Sequence, residues 1–199
     1  MLPYVVLFQG SDAHNTQGLW ETNGTASGTI KVTNGPFIYG FRPSPSSLMD
    51  LTVFNDQVLF AGRDTNFSYD LWTTSWNGAA FVTVDLNKTG AGITGVGNKF
   101  NPTDLTVFGP EVLFNGVDAA GHSGLWATNG TAPGTGELTS ISGAATTGVN
   151  PTDITVFNGV ALFNGVDAGG KNGLWAWDGT KATELVAGAA TKGLNPTDS

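Results

Sequence analysis

The amino-acid sequence predicts an all-β fold, a β-propeller built from about four four-stranded antiparallel blades, and three observations point there. A Leu-Phe…Leu-Trp pattern recurs four times: Leu7-Phe8 with Leu19-Trp20, Leu59-Phe60 with Leu71-Trp72, Leu113-Phe114 with Leu125-Trp126, and Leu162-Phe163 with Leu174-Trp175. The tryptophans lie 52, 54 and 49 residues apart, close to the 40–50 residues of a typical blade. Each copy also joins strand-like runs by three short turns and one long link. Short turns keep neighbouring strands adjacent, while a long link carries the chain from the outer strand of one sheet to the inner strand of the next.

The third copy gives the elements in order. Asp104–Phe108 is rich in β-branched and aromatic residues and ends at Gly109-Pro110, so it reads as the inner strand. Glu111–Val117 runs back as the second strand. In the fourth copy this joint is Asn158-Gly159, a two-residue hairpin signal because both positions tolerate φ > 0. A turn from Asp118 to Gly124 leads to a third strand, Leu125–Thr128, and Asn129–Thr135 forms the next turn. Glu137–Ile141 is the expected fourth strand, and 142–151 the long link. The second copy is irregular, with two extra residues at Thr73–Trp76 and a longer link from Asn87 to Phe100. The first has a long link of its own, Asn34 to Ser47.

These copies make one repeat domain over 1–199: repeat 1 at about 1–46, repeat 2 at about 47–100, repeat 3 at about 101–149 and repeat 4 at about 150–194, with 195–199 completing repeat 1. Asn195–Ser199 matches the segment that introduces the inner strands at Asp104 and Asp153, and Met1–Phe8 matches a second strand. The two ends are therefore expected to meet, closing the ring within one chain or head-to-tail between subunits of a homo-oligomer.

Composition bounds the function. With 40% hydrophobic residues the chain can build a core, and with 29 glycines and few strong helix formers it is not an α-protein. A net charge of −8, from 8 basic and 16 acidic residues, argues against nucleic acid and against an anionic membrane surface, both of which are held by clustered Lys and Arg. No cysteine is present, which removes disulfides and thiolate metal sites. No apolar run approaches the roughly 18 residues of a membrane span. Met1–Phe8 is short and lacks a basic lead, so it reads as a strand and not as a signal peptide.

Leu19–Thr29 and Leu125–Thr135 share the core Leu-Trp-x-Thr-Asn-Gly-Thr-x-x-Gly-Thr, and Trp175–Thr180 keeps a shortened Asp-Gly-Thr form. This pattern resembles the bacterial ELWxxDGT repeat family, and the resemblance covers essentially the whole chain. The second copy departs most, with Trp76-Asn77-Gly78-Ala79 and no second Gly-Thr. The resemblance implies a β-propeller-like fold in a secreted or cell-surface bacterial protein. It brings no catalytic motif.

Two kinds of residue recur where chemistry could sit. Asp50, Asp104, Asp153 and Asp198 precede inner strands, while Asp12, Asp64, Asp118 and Asp167 open the second turn. Asp at a turn accepts a hydrogen bond from its own backbone two residues on, and that is the expected role. The alternative for the second set is Ca²⁺, which takes six to eight oxygen ligands. Trp20, Trp72, Trp126 and Trp175 share one repeat position and are expected to pack between blades. Trp76 and Trp177 stand where other copies have Thr22 and Thr128, and they are candidates for sugar-stacking platforms together with the other four. His14 and His122 sit at different offsets from their aspartates, so no acid–base or metal site is expected from them. The Asn-x-Ser/Thr sequences at Asn23, Asn66, Asn87 and Asn129 receive no function.

Fourfold repetition without a unique catalytic constellation suits many weak contacts multiplied by avidity. The chain therefore reads as a non-enzymatic binding or adhesion module, of a lectin-like, carbohydrate-binding type, whose partner is a glycan or another cell-surface ligand. The alternatives are a structural scaffold stabilised by calcium, and an enzyme whose site lies on the irregular links Asn34–Ser47 or Asn87–Phe100.

Overall fold

The computed structural model describes residues 5–14, 17–32, 50–63, 69–87, 100–139 and 141–185. All regular structure among them is β, in four antiparallel sheets, each drawn from one repeat. Sheet 1 has three strands: β1 (Val6–Ser11), β2 (Gln17–Thr22) and β3 (Thr29–Lys31). Sheet 2 has four: β4 (Thr52–Phe54), β5 (Gln57–Arg63), β6 (Tyr69–Trp76) and β7 (Phe81–Asp85). Sheet 3 is β8 (Thr103–Phe108), β9 (Glu111–Val117), β10 (Ser123–Thr128) and β11 (Thr135–Glu137). Sheet 4 is β12 (Thr152–Phe157), β13 (Val160–Val166), β14 (Asn172–Trp177) and β15 (Ala182–Glu184). Every sheet is an up-and-down meander in sequence order.

The turn chemistry read from the sequence fixes the register. Asn158 and Gly159 take φ of 50° and 77°, as the short hairpin requires. Asn23, Asn129 and Asp178 each close the third turn with a side-chain oxygen that accepts from the backbone N–H and hydroxyl of the Thr two residues on. One expectation moves. The fourth strand of sheet 3 is Thr135–Glu137, not Glu137–Ile141. Thr128 and Thr135 share a 2.6 Å hydroxyl–hydroxyl bond that zips the hairpin early. Past Leu138 the chain turns onto sheet 4, where Ala145 N–H donates to Val166 O and Ala168 N–H to Gly143 O.

Strand alternation puts opposite faces of one sheet into two different cores. Leu19 of sheet 1 packs with Phe60 and Trp72 of sheet 2. The other face of sheet 2, with Leu59 and Leu71, packs against Val112, Phe114 and Trp126 of sheet 3. The other face of sheet 3, with Leu113 and Leu125, packs against Phe163 and Trp175 of sheet 4. The sheets therefore stack in sequence order. The glycine two residues after each Leu-Phe makes this packing fit. A Cβ on Gly10, Gly62, Gly116 or Gly165 would lie 2.7–2.9 Å from Cδ1 of the facing tryptophan. The indole instead lies on bare backbone, and Trp72 and Trp126 donate Nε1–H to Gly62 O and Gly116 O at 3.0 Å.

The inner strands are stitched to one another by side chains. Asp104 N–H donates to the Asp50 carboxylate at 2.9 Å, and Asp153 N–H donates to the Asp104 carboxylate at 3.1 Å. Two residues further on, Thr52 Oγ1–H donates to Leu105 O at 3.2 Å and Thr106 Oγ1–H to Ile154 O at 2.9 Å. Asp104 and Asp153 have φ of 59° and 56°, each in a bulge where two residues oppose one on the neighbouring strand. The turn role expected for Asp50 and Asp104 is thus corrected: the left-handed backbone aims each amide at the preceding sheet, so the carboxylates bond across sheets. Asp198, the proposed meeting of the chain ends, and most of the links Asn34–Ser47 and Asn87–Phe100 lie outside the described residues.

Candidate functional site

The second-turn aspartates perform loop closure. Asp118 Oδ1 accepts from Ala120 N–H and His122 N–H at 2.8 Å each, and Asp167 Oδ1 accepts from Gly169 N–H and Lys171 N–H at the same distance. Asp12 Oδ1 accepts from His14 N–H at 3.0 Å. Asp64 lies outside the described residues. Among the described residues no three His, Asp or Glu side chains gather in a group that could hold a metal ion.

A second column of residues approaches these turns from the outer strands. Lys31, Asp85, Glu137 and Glu184 hold one register position, opposite Trp20, Trp72, Trp126 and Trp175. In sheets 1, 3 and 4 the side chain crosses a glycine, at Gly18, Gly124 and Gly173, where a Cβ would collide with it. In sheet 1 the crossing residue is a cation, and Lys31 Nζ meets Asp12 Oδ2 at 3.1 Å. In sheet 3 it is Glu137, whose carboxyl is held above its ordinary range, first by burial and then by the charge of Asp118, with His122 acting in the opposite sense. His122 Nδ1 lies 3.5 Å from Asp118 Oδ2.

These three groups line a cleft of about 260 Å³ between sheet 3 and the link to sheet 4, together with Thr139, Thr146 and the apolar walls Leu138 and Ile141. Chemically the cleft is a pair of carboxylates beside an imidazole and hydroxyls. It accepts hydrogen bonds from hydroxyl or ammonium groups and has an apolar edge for a carbon skeleton. The sequence reading missed Glu137. Its signal was the Gly-Leu-Trp before the recurring turn pattern, because a glycine two residues before the tryptophan is what admits a long crossing side chain.

The tryptophans divide by burial. Trp72 and Trp175 are fully buried, Trp126 and Trp177 nearly so, and a buried indole offers no face to a soluble ligand. Trp20 and Trp76 are half-buried, and Trp76 stands edge-on to Phe81 with centroids 5.3 Å apart. The register corrects one equivalence. Thr74, not Trp76, faces Thr83 in the way Thr22 faces Thr29 and Thr128 faces Thr135. The two extra residues lengthen the β6–β7 hairpin and leave its inner register unchanged. Trp177 does replace the threonine, facing Ala182.

No helix among the described residues is long and apolar enough to cross a membrane. No protein family matches the chain, and no curated protein does. Among solved structures it is similar to the Pyrococcus horikoshii acylaminoacyl peptidase, with 12% identity and a TM-score of 0.42 over 92% of this chain and 37% of that one. The chain spans little more than a third of that protein's length, and a likeness this distant carries no argument about this chain.

Proposed function

We propose that the protein is a non-enzymatic binding module, a ring of blades of the ELWxxDGT type on a secreted or surface protein, that takes a polyhydroxylated, glycan-like ligand in the cleft beside sheet 3. The observation that carries this reading is the Asp118–Glu137 carboxylate pair. A half-buried Glu137 carboxyl facing a second carboxylate is satisfied by a ligand that donates several hydrogen bonds at once, as adjacent sugar hydroxyls do. In sheet 1 the corresponding place is filled internally by Lys31, which is why sheet 3 and not sheet 1 is the binding blade. The ring is supported by sheets that stack in sequence order with their inner strands stitched together.

A glycan array on the whole protein, followed by calorimetry on the retained sugar, tests the reading. Glu137→Gln keeps the shape but removes a charged acceptor, and is expected to weaken binding about tenfold or more. Binding should also fade as pH falls through the raised Glu137 pKa. Retention of no glycan, or equal affinity in Glu137→Gln, overturns it. The scaffold alternative is favoured by the Asp50–Asp104–Asp153 stitching. Its calcium form predicts a melting temperature lowered by EDTA, whereas the loop-closing bonds of Asp118 and Asp167 to backbone amides favour an unchanged one.

A further inference from the structure

Sheet 1 differs from its three fellows in the strand that precedes the Leu-Phe strand. β5, β9 and β13 each carry an inner strand on one edge, while β1 forms the edge of its sheet among the described residues. The consequence is visible in matched side chains. Val112 and Ala161 are fully buried, but Val6, at the same register position, is 63% exposed. Beside it lies an apolar cavity of about 400 Å³, walled by Val6 and Leu7 on sheet 1 and by Leu51, Val53, Val58 and Phe81 on sheet 2.

The equivalent space is filled at both other junctions, each time by the last residue of an inner strand. Phe54 ends β4 and is buried against Leu105 and Val112 of sheet 3. Phe108 ends β8 and packs into the core of sheet 4 with Ile154 and Ala161, near Gly179. Leu51 and Val58 occupy the positions of Leu105 and Val112. The cavity therefore corresponds to a phenylalanine socket. The stitching points the same way: Asp104 N–H and Leu105 O are engaged by sheet 2, and Asp153 N–H and Ile154 O by sheet 3. Asp50 N–H and Leu51 O hold the corresponding sequence positions in sheet 2.

We infer that the β1 edge and this socket form an acceptor site for one extended strand of the protein's own inner-strand type, Asn-Pro-Thr-Asp-Φ-Thr-Val-Phe, where Φ is Leu or Ile. The strand lies antiparallel to β1. Its Asp carboxylate accepts from Asp50 N–H, its Thr hydroxyl donates to Leu51 O, and its terminal Phe enters the cavity. This is strand addition with two side-chain checks and one anchor, so backbone pairing gives affinity and the Asp, Thr and Phe give selectivity. It goes beyond the glycan-binding role and stands or falls separately from it.

The probe is the octapeptide of residues 101–108, added to the whole protein and followed by calorimetry and by hydrogen exchange of the β1 amides. One-to-one binding that slows β1 exchange is expected. A peptide with the Phe108→Ala change should bind at least tenfold more weakly, and one with Thr106→Val about three- to tenfold more weakly. Val53→Arg charges the socket wall at a side chain that is 73% exposed, so the fold tolerates it, and it should abolish peptide binding. Where β1 is already protected without peptide, the protein's own strand fills the site, and Val53→Arg must expose those amides. No binding to an unprotected β1, equal binding of the Ala peptide, or β1 protection that survives Val53→Arg each overturns the inference.

Discussion

The junction between sheets 2 and 3 and the junction between sheets 1 and 2 use the same repeat with one strand's difference. In the first, Phe54 fills the gap, Trp126 is buried with its N–H bonded to Gly116 O, and Asp50 and Thr52 reach across to the next inner strand. Phe100, Phe114 and Trp126 form a ring cluster there, with the Phe100 and Trp126 centroids 4.9 Å apart. In the second, Trp72 and Phe60 are as well buried, yet the inner end is a cavity lined by exposed valines. The contrast separates two jobs. The second and third strands build the core of a junction, while the inner strand plugs and stitches it.

The largest expected effect tests the core half of that division. Trp126→Ala should cost about 3–5 kcal/mol in urea unfolding, since it removes a large buried side chain and leaves a cavity. Trp20→Ala, at the matched position of the sheet with three described strands, is half-buried and its Nε1 has no hydrogen-bond partner among the described residues, so less than half that cost is expected. Equal costs would mean that the first sheet is as fully packed as the third.

The stitching comes next. Asp104→Ala removes the acceptor of Asp153 N–H and places a residue with a Cβ and no local hydrogen bond at φ 59°. A loss of about 2–4 kcal/mol is expected from the two effects together. Asp104→Asn keeps both the acceptor and the tolerance for left-handed backbone, and should recover most of it. Thr106→Val removes the hydroxyl's contacts with Ile154 O across the sheets and with Asp104 O in its own strand, for a loss of about 0.5–1.5 kcal/mol. If Asp104→Asn is as damaging as Asp104→Ala, charge and not hydrogen bonding holds the inner strands.

Much of this was legible in the chain. The Leu-Phe…Leu-Trp period marks the second and third strands because both faces of those strands are buried and only large apolar residues satisfy them. Asn-Gly-Thr marks the third turn because its oxygen and hydroxyl bond within four residues. What depends on contacts about 50 residues apart was not legible. The role of Asp50 and Asp104 needs the neighbouring sheet to be in place. Nor was the Glu137 site legible, which needs a glycine in one strand to lie diagonally across the ladder from a carboxylate in the next. The pairing of Trp76 was misread because two extra residues can shift a register or lengthen a hairpin, and only the ladder decides which.

The smallest effect concerns the third turn, which sheets 1, 3 and 4 close in the same way. Asp178 stands where sheets 1 and 3 have Asn23 and Asn129, and it makes the same bonds. Its carboxyl is fully exposed, and its pKa is pushed down to about 2 by the Thr180 hydroxyl first and then by the Lys181 and Thr180 amides. A carboxylate with a depressed folded pKa adds stability that is complete above its unfolded value of 3.8 and fades as pH falls toward 2. The sheet 4 hairpin should therefore loosen in that window while its sheet 3 counterpart, closed by an amide that does not titrate there, does not. Carbon-detected titration of the Asp178 carboxyl and amide shifts of Thr180 and Thr131 would follow both turns in one sample. Asp178→Asn should remove the difference and leave the hairpin closed at neutral pH. If Thr180 and Thr131 respond to acid alike, the turn is held by its backbone geometry and the side-chain oxygen is incidental.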